Sequence, residues 1–166
     1  GRHEQLDLWN RVLDRMNDAL LSAARKFIGA KGKEPHLYRS IVVDSRPTDE
    51  NAALYNKSNL ENWVATSKTF SKSAKFLLTE REKEQGKWGV LMQITVRDFV
   101  LAVDVQRRIP EVFTCYPEDE VVIVPGATWT VKSSFFDVEQ QRLVVDVDVF
   151  GGHRARWKEG KDRWIL

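Results

Sequence analysis

The chain has 166 residues, of which 42% are hydrophobic and 30% charged, with a net charge of +2. That is enough to bury a core in one globular domain without staples, and the charge is too small to demand a polyanionic partner. One cysteine, Cys115, excludes an internal disulfide; His3, His36 and His153 are too scattered for a His/Cys metal site; and no run approaches the ~18 apolar residues of a membrane helix.

Residues 4–28 predict an amphipathic helix, because Leu6, Trp9, Leu13, Met16, Leu20, Leu21, Ala24 and Phe27 recur at helical spacing. The Gly29–Lys33 run ends it. No charged-then-apolar leader precedes it, and the opening Gly1 suggests a domain excised from a longer polypeptide. Residues 36–44 then predict a strand, and the polar stretch 45–61 a loop with turns. A short strand is expected over 62–67. Ser71 is placed to cap a helix that contains Ala74, Phe76, Leu77 and Leu78 and runs into Glu80–Lys87. From there the chain predicts β structure at 88–96, 99–105, 120–124, 127–135 and 142–150. In the last of these the valines alternate with aspartates, and Phe135–Leu143 turns the final hairpin. The tail, 151–166, is basic and carries Trp157 and Trp164. Without repeats or a linker, the whole of 1–166 reads as one α+β domain: helices first, then a mainly antiparallel sheet.

Two short motifs carry little. The run "GAKGK" (29–33) has the glycines and lysine of a phosphate loop but fails its spacing, and Glu34 stands where a hydroxyl residue belongs. Cys115 has no histidine near it in sequence to activate a nucleophile. The basic tail interleaves tryptophans with Arg154, Arg156, Lys158, Lys161 and Arg163, a pattern that can bind single-stranded nucleic acid by stacking and phosphate contacts. A solvated terminal segment is the plainer reading.

Three further segments gain meaning from their order: "LYRS" (37–40), "WVATSKTFSKSAKF" (63–76) and "YPEDEVVIVPG" (116–126). An aromatic-arginine pair is followed by a small hydroxylated triplet, then by E-x-E before an aliphatic run and Pro-Gly. In this combination the chain resembles the arginine-type mono-ADP-ribosyltransferases, the R-S-E branch shared by many bacterial toxins and effectors. The resemblance implies a split β-sandwich with an N-terminal helical region. It implies NAD as substrate, with Arg39 on the NAD phosphates and Ser40 beside it where backbone groups hold the nicotinamide amide. The triplet Ala65-Thr66-Ser67 stands at the Ser-Thr-Ser position, so Thr66 and Ser67 are expected at the dinucleotide and Ala65 is a departure. Phe76 is expected against the nicotinamide. Glu120 matches the catalytic glutamate and Glu118 the glutamate tied to arginine as acceptor, while Phe113 and Tyr116 fall in the loop that meets the target. A protein partner bearing the acceptor arginine and an immunity protein follow from the same resemblance, as does delivery into another cell. A nucleic-acid acceptor, NAD hydrolysis, or a binding module with a decayed site are the alternatives.

The chemistry fits those residue types. Arginine's planar fork binds phosphate oxygens bidentately and keeps its charge. Breaking the nicotinamide–ribose bond builds positive charge on the ribose, which a carboxylate stabilises. An acceptor guanidinium is protonated at neutral pH, so a second carboxylate is needed to take its proton. In extended backbone, residues i and i+2 share a side, which would put Glu118 and Glu120 in one cleft with Asp119 pointing away.

Overall fold

The computed structural model describes residues 1–48, 62–73, 78–108, 119–152, 156–158 and 163–165. Helix α1 covers Arg2–Ala23 and ends earlier than its periodicity suggests. Ala24 is already extended, at φ −65° and ψ 138°, and β1, Arg25–Phe27, pairs antiparallel with residues 100–102. Ala24 and Phe27 therefore reach the core from a strand and its approach. The pull is burial: Ala24 is fully buried and Leu21 nearly so, against Leu101, Val103 and Val124.

The sheet is organised by one strand. β4, Trp88–Asp104, runs for 17 residues. Its first half pairs antiparallel with β2 (Leu37–Val43) and parallel with β7 (Arg142–Gly151), and β7 carries β6 (Thr128–Asp137) as a hairpin. Its second half pairs with β1 and with β5 (Glu120–Ile123), and β5 carries β3 (Val64–Ser67). A single bridge, Tyr38 to Ser67, joins β2 to β3. The fold is thus α+β and dominated by a mixed sheet behind an N-terminal helix. The strand pairings are mainly antiparallel, as expected; among the described residues β4–β7 is the one parallel pair.

Alternation decides what each strand buries. Leu143, Val145, Val147 and Val149 enter the main core with Leu37, Val64, Ile94, Val121 and Ile123, while Asp146 and Asp148 stay on the other face. Where two strands were expected, at 88–96 and 99–105, the chain makes one. Asp98 takes φ +56° and the β7 register shifts between Val96 and Val100, so the strand bulges without ending.

The expected helix from Ser71 is different in detail. α2 is Phe70–Ser73, with Ser71 inside it, and α3 is Glu80–Glu84; residues 74–77, Phe76 among them, lie outside the described residues. Thr79 starts α3 with a capping box, its hydroxyl accepting from the Glu82 amide at 3.2 Å while Glu82 accepts from the Thr79 amide at 2.8 Å. A one-turn helix α4, Val105–Arg108, follows β4. In the tail, β8 (Arg156–Lys158) and β9 (Arg163–Ile165) form a hairpin that sets Trp157 opposite Trp164. No described helix is long and apolar enough to cross a membrane.

Candidate functional site

Strands β2, β3 and β5 bring the three motif segments side by side. Tyr38 pairs with Ser67, and Ser67 pairs with Glu120, so these three residues form one row across the sheet and share a face. Ala65, opposite Val122, lies on that face as well. Glu120 is half-buried at the first position of β5. Ser67 is buried, and its hydroxyl sits in a local turn, donating to the Thr69 carbonyl at 3.2 Å and accepting from the Thr69 amide at 3.3 Å.

Thr66 faces the core. It is only 5% exposed, it shares its face with Val64 and Val121, and its hydroxyl donates to the Val121 carbonyl at 2.7 Å. It braces the β3–β5 pair from the side opposite Ser67 and Glu120. The pleat explains this: in a strand the middle residue of a triplet must turn away from its neighbours.

Arg39 belongs to the next row, paired with Met92, and by alternation leaves β2 on the side of Leu37 and Ile41. Only one bridge links β2 to β3, and Arg39 extends that link with its side chain: Nη1 donates to the Ala65 carbonyl at 2.9 Å. Burial lowers the Arg39 guanidinium from its ordinary value, although the group remains a cation at neutral pH. Ser40 pairs with Leu91.

Asp119 also differs from expectation. Its φ is +49°, so the backbone entering β5 is left-handed there, and the i, i+2 rule does not carry Glu118 onto the face of Glu120. Asp119 has work of its own: its carbonyl accepts the Lys68 amide at 3.1 Å and its carboxylate accepts the Thr69 hydroxyl at 3.4 Å. Glu118, Phe113, Tyr116 and Cys115 lie outside the described residues, as does Phe76.

One hollow of this region matches no motif of the sequence. A cavity of about 660 Å³ opens beside Tyr38, and its lining includes Lys26, Lys33, Lys68, Asp104 and Arg107, though neither Arg39 nor Glu120. Lys68 follows Ser67 directly, and its Nζ lies 2.6 Å from Asp104 Oδ2, which Arg107 Nε approaches to 3.5 Å. One wall is the loop from Gly29 to His36. The His36 Nδ1 accepts the Val96 amide at 2.9 Å, so the ring's hydrogen is on Nε2, which donates to the Ala30 carbonyl at 3.1 Å. Gly29 allows this closure, because a Cβ there would stand 2.2 Å from the ring. No spacing rule finds the cavity, since four separate segments build it and Lys26 read as part of a helix. Among the described residues no cluster of His, Cys, Asp or Glu could hold a metal ion.

No family model matches the chain, and no curated protein matches it. A comparison with solved structures finds three that are similar. They are the ADP-ribosyltransferase Vis with an inhibitor (13% identity, TM-score 0.47, covering 85% of this chain and 59% of that one), the same protein with agmatine (13%, 0.43, 78% and 57%), and the Vis toxin from Vibrio splendidus (14%, 0.43, 85% and 58%). The chain therefore spans less than two thirds of each of those chains.

Proposed function

We propose that this chain is an NAD-dependent mono-ADP-ribosyltransferase that modifies an arginine of a target protein. The observation that supports it is the strand order: three segments far apart in sequence meet on β2, β3 and β5, with Ser67 in register between Tyr38 and Glu120. In this reading the bond from ribose C1′ to the nicotinamide nitrogen breaks, and the nitrogen keeps the electron pair. Glu120 stabilises the positive charge that develops on the ribose. An arginine nitrogen of the target then bonds to C1′ and gives its proton to Glu118. Ser67 steadies the strand that faces Glu120. Ser40 meets the dinucleotide from β2, Arg39 steadies that edge from behind by tying β2 to the Ala65 carbonyl of β3, Phe76 covers the nicotinamide, and Phe113 and Tyr116 meet the target. This reading takes the fold as a split β-sandwich. The same reading makes the chain a toxin or effector domain, delivered into another cell and restrained in its producer by an immunity protein.

The test is incubation with NAD labelled in the adenylate half, together with a lysate. Label that moves onto protein and is lost on protease treatment supports the reading. Label that survives protease but not nuclease makes nucleic acid the acceptor, which the basic β8–β9 hairpin would serve. Free ADP-ribose at the same rate with or without protein makes the chain a hydrolase. Intact NAD after incubation with folded protein rejects the enzyme.

A further inference from the structure

Arg39 has one guanidinium nitrogen committed to the Ala65 carbonyl and starts on the core side of the sheet, so the face of Glu120 needs another source of positive charge. The cavity beside Tyr38 offers one: among its described lining residues, Lys26, Lys33, Lys68 and Arg107 are set against one carboxylate, Asp104. We infer that this cavity holds the diphosphate and one ribose of the dinucleotide, with Lys26 and Lys33 on the phosphates and Asp104 on a ribose hydroxyl. The inference rests on the transferase reading for the identity of its ligand.

Four observations carry it. Charge is the first: the lining keeps an excess of cations at neutral pH, and Lys68 and Arg107 share one oxygen of one aspartate, so a diphosphate would be attracted and an arginine side chain repelled. Size is the second, since about 660 Å³ falls within the ~300–1,000 Å³ of small-molecule sites. The third is an unmet acceptor. Asp104 Oδ1 is buried and has no hydrogen-bond partner among the described residues, although buried carboxylate oxygens are normally satisfied. A ribose hydroxyl is a neutral donor of the right kind, as in nucleotide sites where an acidic side chain takes the ribose diol. The last is position. Tyr38 lines the cavity and begins the row that ends at Glu120, and Lys68 is the residue after Ser67. The cavity therefore adjoins that row at Tyr38. The closure of the Gly29–His36 loop by the His36 ring keeps Lys33 in the wall without ligand present.

The test is binding, measured by calorimetry with NAD, ADP and inorganic pyrophosphate as separate titrants. A Lys26→Gln/Lys33→Gln double variant is compared with Lys132→Gln, which removes an exposed cation of β6 that pairs with Asp148. The double variant is expected to bind NAD and pyrophosphate at least ~10-fold more weakly, in line with loss of charge-assisted hydrogen bonds, and with a shallower salt dependence; Lys132→Gln is expected to bind like the parent. Asp104→Asn should weaken NAD more than pyrophosphate, which has no hydroxyl to lose. Thermal unfolding of each variant checks that it folds, and the lysine variants decide the matter if Asp104→Asn does not. Unchanged NAD and pyrophosphate affinity in the double variant overturns the inference, even if NAD is consumed and the transferase reading stands. Lysine-dependent binding of NAD and pyrophosphate without any consumption of NAD keeps the site and removes the transferase. Single-stranded DNA binding more tightly than NAD, with the same lysine dependence, overturns the dinucleotide assignment.

Discussion

Glu120 begins β5 with Ser67 as its partner, and the residues after it pair with β3 on one side and β4 on the other. Backbone ladders on both sides hold β5 in place, so Glu120→Gln removes a charge and keeps the strand pairing. The expected outcome is a fall in transfer of ~10²–10³-fold, the usual effect of losing one transition-state group, while calorimetry still registers NAD binding. Glu118→Gln is expected to release ADP-ribose from NAD yet fail to label protein. The left-handed backbone at Asp119 takes away the alternation argument for pairing these carboxylates, so this assay is what separates their roles. Transfer at the parent's rate would leave Glu120 as the only catalytic carboxylate. Thr66 belongs to a different class. Its hydroxyl bonds the Val121 carbonyl inside the core, and Thr66→Val removes that hydrogen bond. Denaturant unfolding should show a loss of ~0.5–1.5 kcal/mol, with KM for NAD unchanged. A raised KM at unaltered stability would return Thr66 to the substrate.

β4 shows what an element can conceal. Its residues 88–96 and 99–105 read as strands from their apolar, β-rich runs, and 142–150 in β7 from valine–aspartate alternation, because half-buried strands imprint a period of two on the sequence. The join at Arg97-Asp98 reads as a break, since charge interrupts the apolar pattern. In the folded chain the charges are used: Arg97 bonds Asp148 at 3.1 Å and Glu34 at 3.0 Å, and Asp98 turns left-handed through the bulge. Aspartate tolerates that conformation better than alanine does, and glycine better still. Asp98→Ala is therefore expected to lower the unfolding free energy by about 1 kcal/mol, and Asp98→Gly to match or exceed the parent. Equal loss in both would mean that the side chain, not the backbone angle, matters there. β1 was illegible for another reason. Three residues are too few to display a period, and their helical spacing continues that of α1, so only the long-range pairing with β4 decides their conformation.

At the scale of the whole molecule, the motif-bearing residues were legible and the hollow beside them was not. Arg39, Ser67 and Glu120 stand out because each sits in a short local pattern, whereas the cavity cations come from β1, the Gly29–His36 loop, the residue after β3 and α4, and only the closed sheet assembles them. The helix α1 raises the opposite question, that of a clear pattern without the burial it implies. Leu6, Trp9 and Met16 recur at helical spacing, yet they are 54%, 65% and 56% exposed. Among the described side chains of α1, Leu21 at the helix's far end reaches the core, together with the half-buried Leu20 and Ala23. A buried tryptophan of a core-facing helix would cost ~3–5 kcal/mol on truncation. An exposed one costs little, because its surface is in water before and after unfolding. Trp9→Gln keeps a good helix former at the site and should change the denaturation midpoint by an amount within ~0.5 kcal/mol. Ile94→Ala, in the fully buried centre of β4, should cost ~2–5 kcal/mol in the same assay. A loss for Trp9→Gln as large as that for Ile94→Ala would place the apolar stripe of α1 inside a packed interface, and the helix would then have to be counted as part of the core.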